Sequence, residues 1–193
     1  MKQHPVIQHF KRAQLLDGDC YVADYTQQTA SKEGVTFSPE PFDDIEAFQL
    51  ASGRRPVQYI GVNLEQHPAF CRGMSNCECF FTPNVGVGRP WLLLLELKYC
   101  KAKNVPSHAS KAVAQMAAVL GRLAERGIIN PDRYRVYFNY SSPENSRRQP
   151  FTHFMHTPAD AAEVLRRYNA YFMGFNRLII AGPEYIRSPK IRL

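Results

Sequence analysis

The spacing of apolar residues changes period along the chain, and each change marks an element. Residues 56–64 alternate, with Gln58, Ile60, Val62 and Leu64 on one face and Val57 and Tyr59 on the other, which predicts a strand. Residues 76–82 predict a second. Residues 91–99 predict a third, opened by five consecutive apolar positions, Trp91 to Leu95, so both of its faces are expected to be covered. Residues 83–90, rich in Gly and Pro, read as the turn between the last two. The period then lengthens to 3.6: Val113, Met116, Ala117, Leu120 and Ala124, with Leu123 alongside, form the stripe of a helix that Ser107 or Ser110 caps and Gly127 stops. Residues 133–140 alternate again as a fourth strand. Thr157-Pro158 opens a further helix to about Phe172, and residues 176–181 make a last strand.

Upstream, Ser38 reads as an N-cap and Pro39 as the first helical residue. Asp43, Asp44 and Glu46 suit the early turns, Phe42, Ile45 and Phe48 make the apolar stripe, and Ser52-Gly53 ends it. Before that, residues 6–16 suggest a short helix and residues 20–25 a short strand. The expected architecture is a single α/β domain over residues 1–193, with a mixed central sheet of four or more strands and helices packed against it.

An apolar share of 45% and a charged share of 21% are those of a globular chain. No stretch approaches a membrane span and the first residues lack a signal-peptide pattern, so a cytoplasmic protein is expected. The net charge of +7 favours a polyanionic partner, nucleic acid above all. Whether the chain also pairs with itself or with another protein is open at this stage. The five cysteines, an odd number, argue against a disulfide framework. Cys71, Cys77, Cys79 and Cys100 are spaced poorly for zinc, and buried reduced thiols are the simpler reading. Aromatic residues 134, 137, 138 and 140 beside Arg133 and Arg135 are better explained by packing than by base stacking.

Glu96 and Lys98 stand two apart on the third strand, so both side chains leave the same face about 6.5–7 Å apart. A strand emerging into water at Glu96 would also account for them. Glu78 shifts the balance. It falls within the second strand, across the turn, with Cys77, Cys79 and Phe81 on the opposite face, so an antiparallel pairing lets Glu78 and Glu96 meet. Two carboxylates converging there suit a hard divalent cation such as Mg²⁺ or Mn²⁺. A neighbouring lysine can orient water and offset the charge of a phosphodiester.

This arrangement resembles the PD-(D/E)xK nuclease superfamily, whose restriction-endonuclease-like αβββαβ core matches the element order over residues 38–140, leaving residues 157–182 as an extension. The resemblance implies metal-dependent hydrolysis of nucleic acid, DNA in the first instance, or the same fold acting as a non-catalytic binding module. By it, Glu78, Glu96 and the main-chain carbonyl of Leu97 hold the metal and Lys98 acts on water. It also implies an acid from the first helix, Glu46 with Glu40 in reserve, and Gln115 from the helix after the third strand. Lys111 and Arg122 share Gln115's polar stripe as candidate phosphate contacts. The chain departs from the family pattern in having Glu78 where Asp is usual and Cys77 in place of the proline. A cysteine hydrolase built on Cys100 with His108, His153 or His156 is a further alternative, although no oxyanion loop accompanies it.

Overall fold

The computed structural model describes residues 4–26, 34–84, 88–151 and 158–189. Residues 85–87 of the expected turn, His153, His156 and Thr157 lie outside them. The chain is a mixed α/β protein with two mixed sheets.

The first sheet grows around the segments whose patterning is strongest. Strands β5 (Tyr59–Asn63), β6 (Cys79–Pro83) and β7 (Trp91–Leu97) form an antiparallel meander, following β1 (Gln14–Leu16), β2 (Cys20–Asp24), β3 (Val35–Ser38) and β4 (Phe48–Ala51) in the chain. Helix α3 (Val105–Glu125), preceded by the short α1 (Pro5–His9) and α2 (Pro68–Cys71), then carries the chain over to β8 (Arg135–Ser141), parallel to β7. Helix α4 (Pro158–Tyr168) leads in the same way to β9 (Ala170–Gly174), parallel to β8. The six strands lie in the order β1-β5-β6-β7-β8-β9. Every residue of β7 is buried, as its run of apolar positions predicts.

Alternation sorts the side chains of β7 into two cores. Leu92 and Leu94 pack with Ala109, Met116 and Leu120 of α3, together with Val6 of α1. Trp91, Leu93 and Leu95 pack with Val22, Leu50, Leu178 and Ile180 of a second sheet. That sheet has the order β11-β10-β4-β2-β3, adding β10 (Arg177–Gly182) and β11 (Tyr185–Arg187). The layers are therefore helix, sheet, sheet. The Trp91 indole N–H donates to the Gly182 carbonyl at 3.0 Å and fastens the two sheets together.

Several expectations are corrected. No helix covers residues 38–53. The Ser38 hydroxyl donates to the Glu40 carbonyl and accepts from its amide, a local turn that competes with helical hydrogen bonding. Residues 48–51 instead form β4 between β2 and β10, because Phe48 and Leu50 alternate into the inter-sheet core. Residues 6–16 hold the single turn of α1 and then β1, an edge strand on β5. Helix α3 starts at Val105, ahead of both serines, and Ala124 is exposed at its end. Gly127 does end it, at φ +65°. Helix α4 stops at Tyr168, where Asn169 takes φ +51°, and Tyr171 and Phe172 belong to β9. Tyr137, Phe138 and Tyr140 are buried, as the packing reading expects.

Candidate functional site

The end of the meander brings three charged side chains together. Cys79 is in register with Leu95, and the Glu78 amide also donates to the Leu95 carbonyl, at 3.1 Å. Two residues of one strand thus face one residue of the next, which is a β-bulge. The bulge explains why Cys77 packs on the helix side while Cys79 and Phe81 pack on the other. Cys77 therefore does not share their face, and Glu78 sits at the bend before β6 rather than within a strand. Across from it, Glu96 is the last residue but one of β7. Lys98 follows the strand, held by its amide to the Ser141 carbonyl of the β8 end at 2.9 Å.

The Lys98 ammonium lies 2.7 Å from Glu96 Oε1 and 3.3 Å from Glu78 Oε1. It donates a hydrogen bond to Glu78. Its closer approach to Glu96 makes a strong ion pair, and the Glu78 main chain also lies against the Glu96 carboxylate. Glu96 is fully buried (0% exposed). A carboxylate so placed costs several kcal/mol of desolvation unless its charge is met.

The electrostatics follow from that crowding. Burial pushes both acids above the usual carboxylate range. The charges of Glu96 and Asp24 push Glu78 further, Lys98 opposing them. For Glu96 the Lys98 ammonium offsets part of the burial effect and Asp24 adds to it. Burial disfavours the charge on Lys98 itself, yet the two carboxylates overcome this and its pKa rises.

The structure brings together Glu78, Glu96 and Lys98, but not the other expected residues. Leu97 lies between them. Leu95 directs its carbonyl to the Glu78 amide, so alternation turns the Leu97 carbonyl to the same β6 side, one step past the last rung. Gln115 donates from Nε2 to the Asn76 carbonyl at 2.8 Å, holding α3 against the approach to β6. Arg122 likewise donates to the Phe70 carbonyl, and Lys111 is exposed. Glu46 is exposed in the loop before β4, where only its carbonyl, bonded by the Tyr99 hydroxyl at 2.7 Å, reaches toward the site. Glu40 lies in the Ser38 turn. With no helix there, the expectation of a first-helix acid is corrected.

Sequence reasoning missed Asp24. It is the last residue of β2 in the second sheet, 3% exposed, and its charge acts on both Glu78 and Glu96. The signal was present: a carboxylate ending an apolar strand, the same pattern that singled out Glu96.

All five cysteines are free thiols, and Cys77 and Cys79 belong to different cores. The recorded contacts of Cys100 Sγ are with Tyr140 Oη at 3.7 Å and Ser142 Oγ at 4.0 Å, neither of them a base. Among the described residues, no three His, Cys, Asp or Glu side chains form a ready metal-binding group. What fits a hard cation is narrower: oxygen donors only, and two carboxylates, one of them fully buried, already sharing one cationic partner. Among the described residues, no helix is long and apolar enough to cross a membrane. No protein-family model, curated protein or solved structure significantly matches this chain.

Proposed function

We propose that this protein is a divalent-metal-dependent nuclease that hydrolyses phosphodiester bonds, DNA being the first substrate to test. The convergence of Glu78 and Glu96 on Lys98, with Glu96 fully buried, carries the reading. Groups of this kind perturb one another's protonation, and such perturbation concentrates at functional sites. The order β5-β6-β7-α3-β8 supports the restriction-endonuclease-like core that the sequence resembles, although the helix expected before β5 is absent.

In this reading Glu78, Glu96 and the Leu97 carbonyl hold Mg²⁺ or Mn²⁺. A cation held there would supply polarisation of the phosphodiester and offset its charge. Lys98, tethered through its amide to β8, keeps its ammonium beside both carboxylates and orients water at the phosphorus. The net charge of +7 draws in the polyanion. Lys111 is an exposed candidate for phosphate contact, while Gln115 and Arg122 are already engaged by main-chain carbonyls.

One observation favours a non-catalytic binding module on the same fold: the Lys98 ammonium already serves as counter-ion to both acids. Incubation with single-stranded DNA, double-stranded DNA and RNA in Mn²⁺ separates the two. Cleavage that chelator abolishes, and that Lys98→Ala and Glu96→Gln both lose, is the expected result. Cleavage indifferent to chelator and to Lys98→Ala, or none on any substrate, would overturn the enzyme assignment.

A further inference from the structure

The second sheet contributes to the site. Asp24 is the register partner of Val35, whose carbonyl accepts from Asn63 Nδ2 at 2.7 Å. Asn63 is in turn the register partner of Cys79, the neighbour of Glu78, and the Leu64 amide donates to the Glu78 carbonyl at 3.0 Å. From the other side, the hydroxyl of Tyr99, the residue after Lys98, lies against the Asp24 main chain. Asp24 is thus bracketed by the strand ends that carry Glu78 and Lys98, and it is nine-tenths buried. One of its oxygens is committed: Oδ1 accepts from both the Thr26 amide, at 2.8 Å, and the Thr26 hydroxyl. Its other oxygen accepts no hydrogen bond from any described residue.

We propose that Asp24 is the third carboxylate of the cation site, supplied by the second sheet and acting from just outside the shell that Glu78 and Glu96 form. With all groups ionised, three carboxylates and one ammonium leave two negative charges (three minus one), the number a divalent cation neutralises. Without Asp24, Lys98 would leave the pair only one charge in excess. Asp24 has an outer, positioning role in this proposal, reaching the cation through water and setting the charge of the cluster. This inference rests on the metal-site reading above.

The experiment is Mn²⁺ binding to the full chain, followed by calorimetry and by the electron paramagnetic resonance of free Mn²⁺. Asp24→Asn keeps an oxygen acceptor for Thr26 while removing the charge, and is expected to weaken Mn²⁺ binding about 10–100-fold. Asp24→Ser, which retains a hydroxyl for the same turn, is expected to lose as much and keeps the test valid should the first variant fold poorly. Glu125→Gln removes a negative charge from the exposed end of α3 and should bind as wild type does. Glu96→Gln should abolish binding. Wild-type affinity in both Asp24 variants, alongside loss in Glu96→Gln, overturns the role of Asp24 and leaves the metal site standing. No Mn²⁺ binding by the wild-type protein overturns both.

Discussion

At the scale of single residues, the energetics of this protein are most exposed at Glu96, whose burial the Lys98 ammonium does most to offset. Lys98→Met should therefore cost most on the alkaline side, about 3–5 kcal/mol, where Glu96 is ionised and its buried charge is left without its ammonium partner. Urea unfolding would measure it, and a loss below about 1 kcal/mol would mean the pair is solvated. The pH dependence has an unusual sign. Because Glu78 and Glu96 have folded-state pKa values above the unfolded ones, the folded state binds more protons than the unfolded chain above the ordinary carboxylate pKa of about 4.3. Their contribution to metal-free stability is thus fully present below that value and is lost as pH rises through the raised values. Lys98, raised as well, contributes stability until pH passes its own pKa on the alkaline side. Glu78→Gln should flatten the fall, and an unchanged slope in chevron or urea midpoints would refute this account. Glu96 and Lys98 were legible in the sequence because a charge after an apolar strand is conspicuous. The bulge at Glu78 was not, since it arises from how two strands meet and leaves no mark on either alone.

Elements were legible in proportion to how much of their pattern is local. Strands β5 and β7 and helix α3 each carry their period within their own residues, and each forms where that period predicts. Residues 42–50 satisfy two periods at once: Phe42, Ile45 and Phe48 suit a helix, while Phe48 and Leu50 suit a strand. The choice between them is made by β2 and β10, which lie on either side of β4 and are remote in sequence. Glycines in and after α3 allow this level to be tested with two substitutions. Gly121 lies exposed near the C-terminal end of the helix with open space where a Cβ would stand, so Gly121→Ala should stabilise by about 0.5–1 kcal/mol. Gly127 has equally open space but φ +65°, so Gly127→Ala should destabilise by about 1 kcal/mol through backbone strain alone. Thermal midpoints moving in the same direction for both variants would contradict this assignment of the helix end.

At the scale of the whole molecule, the second sheet is the feature the sequence concealed. Its strands are three to six residues long and come from both ends of the chain, Leu50 pairing with Leu178. No local pattern announces such a pairing. Its physical basis is the face of β7 that α3 leaves uncovered: Leu93 and Leu95 must be buried against something, and Val22, Leu50 and Leu178 meet that need. The same sheet carries Asp24 to the end of the meander, so the layer that completes the core also shapes the candidate site. Strand β7 contributes to both cores, which makes the two sheets one cooperative unit. Trp91, the chain's one tryptophan, reports on it directly, being fully buried in β7 and bonded to the Gly182 carbonyl of β10. Leu178→Ala, which opens a cavity in that core, should cost about 2–5 kcal/mol. Tryptophan fluorescence and far-ultraviolet circular dichroism should still give coincident unfolding curves, shifted together to lower urea. Were the second sheet a loose appendage, the fluorescence change would come first and the dichroism would remain near its wild-type midpoint.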